Sequence, residues 1–199
     1  SLTPWDLNPG PQHYRHALVV GAGLAGAHTA NALASRGIAV TVLEANTCAG
    51  GGSGSLQGVT YTRLSHRHNP LSDFSVAAFS YATDHYRRLH QSGALRDNLD
   101  IGWGGYIQLH DTDETLEHLA SVLGLAPDFA RVLSADEISD IIGMQPRCGG
   151  IHYLRGGWLD PRAVCRSLLA HPLITLREQC GPVQLRQLSN DAWQASNTR

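Results

Sequence analysis

The 199-residue sequence carries little excess charge, no C-x-x-C pair, a single methionine and no apolar run long enough to span a membrane. Each absence closes a class of function. Fifteen basic side chains against seventeen acidic ones leave a formal net charge of −2. Bulk charge therefore announces no nucleic acid, and any such contact must come from a local patch or another domain. A membrane-crossing helix needs about 18 consecutive apolar residues, and neither that nor the apolar centre of a signal peptide is present. The four cysteines, Cys48, Cys148, Cys165 and Cys180, have no metal-ligand spacing. They read as reduced thiols in a cytoplasmic protein. His66 and His68 in "SHRHNP" have no third ligand nearby, so that stretch reads as a polar or substrate-facing loop with no metal. No internal repeat or low-complexity segment occurs.

Glycine, in contrast, is abundant, with 21 residues, and its placement is informative. In "LVVGAGLAGAHTA" the run Ala17–Val20 reads as a buried strand, and Gly21, Gly23 and Gly26 complete a G-x-G-x-x-G. A small-residue helix follows, with Leu24, Ala25, Ala27, Ala30, Leu33 and Ala34 expected on its packed side and Gly37 as its left-handed stop. "IAVTVLEA" (Ile38–Ala45) reads as a second strand, which closes a strand–helix–strand unit. In that context the glycines have separate duties: Gly21 turns the chain, Gly23 lets backbone approach a pyrophosphate, and Gly26 lets helix and strand pack closely. The N–H groups of Leu24 and Ala25 open the helix toward the anion. Glu44 lies 18 residues beyond Gly26, where a carboxylate binds the adenosine ribose hydroxyls and repels a 2′-phosphate. NADP is disfavoured; NAD and FAD both remain open.

A second glycine cluster, "CAGGGSGSLQGVTY" (Cys48–Tyr61), follows directly. Its backbone N–H groups suit a loop running along a cofactor, which puts Ser53, Gly54, Ser55, Gln57 and Gly58 among the candidate contacts. Leu71–Gln91 reads as an amphipathic helix with Ser72 as N-cap and with Phe74, Ala77, Ala78, Tyr81 and Tyr86 on its packed face. "IGWGGYIQLH" (Ile101–His110) alternates like a strand with glycine bends. Asp111–Gly124 reads as a helix, and Ser134–Gly143 as a short helix opened by a Ser134/Glu137 capping box. Gly149–His171 reads as strand, glycine bend and helix, with Asp160 and Pro161 at the helix start. Leu173–Ser196 reads as a strand, a turn and a further strand pair. A nucleotide half is thus interrupted by a mixed region, after which the chain returns to it.

Three stretches carry a resemblance: "VVGAGLAGAHTANALASRGIAVTVLEA", "GSGSLQGVTYTRLSHRHNPLSDF" with "AAFSYA", and "GGIHYLRGGWLDP". From about Ala17 to Val183 the chain resembles the flavin-dependent oxidase part of the MnmC family of bifunctional tRNA-modifying enzymes, within the D-amino-acid-oxidase-like flavoproteins. The resemblance implies an α/β fold, an FAD-binding Rossmann-like lobe interleaved with a smaller mixed α+β substrate lobe. It also selects FAD and adds Val183 to the cofactor contacts. The implied reaction is oxidative removal of the carboxymethyl group from 5-carboxymethylaminomethyl-2-thiouridine at the tRNA wobble position. The implied partners are tRNA and an N-terminal methyltransferase domain using S-adenosylmethionine; no methyltransferase motif lies in this sequence. Ser55 stands where that family commonly has Asn.

The expected division is a linker over 1–14, the first FAD-lobe segment over 15–75, a substrate-lobe segment over 76–156 and a return to the FAD lobe over 157–199. The three prolines of Leu2–Gln12 read as a linker cut from something longer, and the family's oxidase continues past Arg199, so a truncated fragment that is inactive alone is expected. Arg63, Arg67, Arg147 and Arg155 are candidates by type for a substrate carboxylate, and Tyr61 and Trp158 for ring walls. Arg63, Arg67, Arg87 and Arg88 are candidates for RNA phosphates. No catalytic base is assigned. The alternatives are a small-molecule amine oxidase of the glycine or sarcosine oxidase type and a nucleotide-binding module without turnover.

Overall fold

A computed structural model describes residues 14–62, 69–110, 116, 119, 127–188 and 192–197. The first part of the chain forms β1 (His16–Val20), α1 (Leu24–Ala34), β2 (Ala39–Leu43), β3 (Gly58–Thr60) and α2 (Pro70–Gln91). There follow β4 (Ile101–Trp103), β5 (Tyr106–Leu109), β6 (Ala130–Leu133), α3 (Ala135–Ile142), β7 (Gly150–Tyr153) and β8 (Gly157–Leu159). The last elements are α4 (Pro161–Leu169), β9 (Ile174–Arg177), β10 (Val183–Gln187) and β11 (Trp193–Asn197). The expected linker and most of the expected Asp111–Gly124 helix lie outside the described residues, as does all but the end of "SHRHNP". Contacts group the chain into two compact units, Ser1–Gly54 with Val164–Arg199, and Ser55–Ala163.

In the first unit β1, β2 and β9 form a parallel sheet with β2 at its centre. Val40 and Val42 of β2, which share one face of the strand, are buried, and Ala39 and Thr41 on the other face are half-buried. Helix α1 makes the parallel crossover from β1 to β2. It buries Ala27, Ala30 and Ala34, a narrow small-residue stripe that brings the helix axis close to its support. Ala25, expected on the packed side, is exposed instead. It falls on the opposite side of a 3.6-residue helix from that stripe. Gly37 at φ +83° ends the turn, its N–H donating to the Ala34 carbonyl. β10 and β11 form a separate antiparallel pair.

The second unit holds two antiparallel three-stranded sheets, ordered β3-β8-β4 and β5-β7-β6. Pairing of Gly58 with Leu159 and of Tyr106 with Tyr153 joins segments far apart in sequence. Its core gathers Leu116, Leu119, Ala130, Ile151 and Tyr153, with Tyr106 and Phe129 packed against them. Tyr106 and Tyr153 stack at 4.5 Å between centroids, and the Phe79 ring meets Tyr106, Phe129 and Tyr153 edge-on. The Tyr106 hydroxyl accepts the Thr62 N–H at 2.8 Å and donates to the Thr62 carbonyl at 2.9 Å. Burial pushes that phenol well above its ordinary pKa, against the opposing pull of its bond to Thr62.

Two expectations for α2 need correction. Asn69, not Ser72, is the N-cap: its side-chain oxygen accepts the Ser72 N–H at 2.9 Å, with Pro70 in the first turn. The packed face is Phe79, Thr83 and Tyr86, whereas Phe74 and Tyr81 are 70% and 71% exposed and Ala77 and Ala78 are exposed too. The helix carries two apolar stripes, and the one facing the aromatic cluster wins. Thr83 can be buried there because its hydroxyl donates to the Phe79 carbonyl at 2.9 Å. The Ser134/Glu137 capping box of α3 is present, and Gly143 ends that helix at φ +69°.

Candidate functional site

The first unit brings together the end of β1, the start of α1, the end of β2 and the loop after it. Gly21 leaves β1 at φ +96°, a conformation glycine adopts without penalty. Its N–H donates to the Leu43 carbonyl at 2.8 Å. A Cβ on Gly26 would lie 1.9 Å from the Gly21 carbonyl oxygen, so the turn closes only around a glycine there. A Cβ on Gly23 would sit 3.0 Å from the Ser53 hydroxyl. Ser53 also caps α1 from a distance in sequence, accepting the Leu24 N–H at 3.0 Å. The first-turn N–H groups of a helix have no intrahelical acceptor and form its positive end.

Glu44 is held just beyond β2 by its own backbone. Its N–H donates to the Arg177 carbonyl at 2.8 Å, and its carbonyl accepts the Cys180 N–H at 3.0 Å. The side chain then bridges two peptides: one carboxylate oxygen accepts the Ala22 N–H at 2.8 Å and the other accepts the Asn46 N–H at 2.9 Å. Each carboxylate oxygen has room for a second donor. The Ala22 peptide is gripped from its other end as well. Its carbonyl accepts the Ala49 N–H at 3.1 Å and the Cys48 thiol at 3.5 Å. Ala49 is buried in the left-handed region at φ +56°, a conformation costly for a residue with a side chain. Burial, and then Glu178, push the Cys48 thiol pKa up, so it stands beside the turn as a neutral group.

These contacts bring Gly21, Gly23, Gly26, Glu44 and Ser53 into one cradle, with Leu24 and Ala25 opening the helix. Gly54 closes a tight turn beside them, donating its N–H to the Gly51 carbonyl at 2.8 Å. Val183 opens β10, in the separate strand pair of the same unit. In the second unit Ser55 and Gln57 are exposed, and Gly58 opens β3. The arrangement of the cradle suits a dinucleotide: open backbone at Gly23, a helix start facing an anion, and a carboxylate with spare acceptor capacity for ribose hydroxyls. Reading by sequence missed the clamp on Ala22 from Cys48 and Ala49. The only hint was the small-residue "CAGG" run after β2.

Among the other candidates, Arg155 is ion-paired with Asp84, and Arg147 is exposed. Arg87 lies over the Trp103 ring at 4.2 Å and donates to the Arg155 carbonyl at 3.4 Å. Tyr61 is 60% exposed. Trp158 packs over Gly102, where a Cβ would lie 2.4 Å from the indole nitrogen. Arg63 and Arg67 lie outside the described residues. Among the described residues no group of three His, Cys, Asp or Glu side chains could hold a metal, and no helix is long and apolar enough to cross a membrane.

Residues 16–198 match the family described as FAD dependent oxidoreductase. The chain is 38% identical over 194 residues to the tRNA 5-methylaminomethyl-2-thiouridine biosynthesis bifunctional protein MnmC of Stutzerimonas stutzeri, covering 96% of this chain and 28% of that protein. Among solved structures it is similar to iminodiacetate oxidase from Chelativorans sp. BNC1, with TM-score 0.67 and 23% identity over 93% of this chain and 52% of that one. Glycine oxidase from Geobacillus kaustophilus is also similar, with TM-score 0.64 and 20% identity over 89% and 50% of the two chains. The chain therefore spans little more than a quarter of its curated relative and about half of the solved enzymes.

Proposed function

The chain belongs to the FAD dependent oxidoreductase family, and from that premise we propose that it forms the cofactor-gripping part of a tRNA-modifying oxidase. The substrate is 5-carboxymethylaminomethyl-2-thiouridine at the wobble position, and the reaction removes its carboxymethyl group, freeing the aminomethyl base. The observation that carries this reading is the cradle of Gly21–Gly26, Glu44 and Ser53, taken with the similarity to proteins named for that thiouridine pathway.

FAD, when bound, supplies the acceptor for the hydride leaving the carbon next to the secondary amine. This chain's own part is to bind and orient. Gly21 turns the chain, Gly23 leaves room for the pyrophosphate, the helix start at Leu24, Ala25 and Gly26 faces its charge, and Glu44 holds the ribose hydroxyls while keeping the turn in shape. Ser53, Gly54, Ser55, Gln57, Gly58 and Val183 complete the set of proposed FAD contacts. The reaction acts on a CH–NH group and takes place in the cytoplasm. Methylation of the freed amine belongs to an S-adenosylmethionine-dependent methyltransferase domain of the kind expected in a bifunctional enzyme.

The test is anaerobic mixing of the polypeptide that carries this chain, loaded with FAD, with tRNA bearing the carboxymethylaminomethyl base. Bleaching of the flavin absorbance with release of glyoxylate supports the proposal. Bleaching by free glycine or sarcosine but not by the tRNA moves the assignment to a small-molecule amine oxidase, and a protein that binds no flavin moves it to a module without turnover.

A further inference from the structure

The loop that follows β2 is held by a segment far away in sequence. Where the chain leaves β9, residues Glu178–Gly181 run back along that loop, and four bonds stitch the two together. The Gln179 N–H donates to the Asn46 carbonyl at 2.8 Å, the Cys180 N–H to the Glu44 carbonyl at 3.0 Å and the Gly181 N–H to the Ala45 carbonyl at 3.0 Å. The fourth bond comes from a side chain: the Glu178 carboxylate accepts the Cys48 N–H at 2.5 Å, across 130 residues. Gln179 lies at φ +58° and Ala49 at φ +56°. Neither is glycine, so each side of the stitch keeps one residue in a conformation that persists only where its surroundings impose it. Cys48 and Ala49 in turn grip the Ala22 carbonyl, through the thiol at 3.5 Å and the Ala49 N–H at 3.1 Å. Ala22 stands between Gly21 and Gly23, so its orientation sets the turn that an anion must meet.

We propose that Glu178 is a positioning residue for the cofactor: its carboxylate anchors the Cys48–Ala49 turn, and through that turn it fixes the Ala22 peptide in the shape that receives the pyrophosphate. This role presupposes the FAD site described above, and Glu178 acts in it without touching the cofactor. The three backbone bonds survive any side-chain change at position 178, whereas the Cys48 N–H has this carboxylate as its acceptor. A charged acceptor makes that bond stronger than a neutral one. Glu178 also acts by charge. After burial it is the larger influence raising the Cys48 thiol pKa; Arg166 of α4 opposes it, and Glu44 adds a smaller push. A protonated thiol can donate to the Ala22 carbonyl, and a thiolate cannot. One carboxylate therefore supports the clamp twice, by holding the Cys48 peptide and by keeping the thiol a donor.

Two measurements on the polypeptide that carries this chain test this role. One is FAD affinity by flavin fluorescence titration. The other is alkylation of Cys48 by iodoacetamide in the flavin-free protein, read by peptide mass spectrometry. Glu178→Ala should weaken FAD about tenfold, as expected for one lost charge-assisted bond, and should speed Cys48 alkylation at neutral pH. Glu178→Gln keeps an acceptor and loses the charge. Its FAD affinity should return to within about threefold of wild type, while the pH midpoint of Cys48 alkylation moves downward because a neighbouring negative charge is gone. A general loss of folding cannot split the two readouts in this way. Unchanged FAD affinity in Glu178→Ala, a Glu178→Gln variant that binds FAD no better than Glu178→Ala, or a Cys48 midpoint that Glu178→Gln leaves in place would overturn the role. A wild-type polypeptide that binds no flavin would refute the FAD site itself, and the Cys48 midpoint would still report whether Glu178 governs the turn.

Discussion

Replacing Glu44 by alanine should damage the chain before any flavin is added. The Glu44 carboxylate accepts the Ala22 N–H at 2.8 Å, and Ala22 is fully buried. Removing the acceptor strands a buried donor, which costs about 1.5–3 kcal/mol for a bond to a charged group. The second bond, to the Asn46 N–H at 2.9 Å, is exposed, and water replaces it at little cost. Taking about 2 kcal/mol in all, and about 2–4 °C per kcal/mol for a chain of this size, the flavin-free protein should melt roughly 4–8 °C lower. Glu44→Gln keeps one carbonyl acceptor and turns an amide toward the other donor, so it should fall between wild type and alanine. Both variants should also bind FAD more weakly in the polypeptide that carries this chain. Melting by circular dichroism and titration by flavin fluorescence separate the two effects. An unchanged flavin-free melting temperature would refute the role in shaping the turn, and unchanged FAD affinity would remove Glu44 from the cofactor site.

Gly23→Val should give a folded protein without flavin, because the branched side chain meets Ser53 and fills the open backbone; a variant that purifies yellow with full stoichiometry would contradict it. Ser53→Ala removes the remote cap from the Leu24 N–H and should cost about 0.5–2 kcal/mol in denaturant unfolding. Tyr106 supplies a pH dependence: its folded pKa is raised, so its contribution is complete below about pH 10, where the unfolded phenol titrates, and is lost as pH rises through the higher folded value. Tyr106→Phe should flatten that alkaline loss, while lowering stability at neutral pH by about 1–3 kcal/mol through the Thr62 peptide it leaves unpaired. Identical alkaline slopes for the two proteins would sink this account. Binding of tRNA by the polypeptide that carries this chain should weaken steeply with salt, measured by filter binding, if arginine–phosphate contacts dominate.

What the sequence disclosed was local. The glycine turn, the α3 capping box and the left-handed stop at Gly37 each depend on residues a few places apart, and propensity speaks directly to such spacings, while Glu44 was legible from its place at the end of the second strand. The clamp on Ala22 was hidden, because it depends on where the Cys48–Ala49 turn folds back, 26 residues on from Ala22 for the thiol bond. The packed face of α2 was hidden for a different reason. Both stripes of that helix are apolar, and only the aromatic cluster of Tyr106, Phe129 and Tyr153, assembled from distant strands, decides which one is buried. The pairing of β3 with β8 was equally out of reach, since a three-residue strand such as Gly58–Thr60 has too short a pattern to name its partner.

The most direct test of the proposed function is the nucleoside profile of tRNA from cells in which the polypeptide carrying this chain has a Gly23→Val oxidase part and is otherwise intact. Mass spectrometry should show the carboxymethylaminomethyl-2-thiouridine nucleoside accumulating at the expense of its aminomethyl and methylaminomethyl products. A profile identical to that of unmodified cells, with the variant confirmed to be flavin-free, would contradict the proposed reaction.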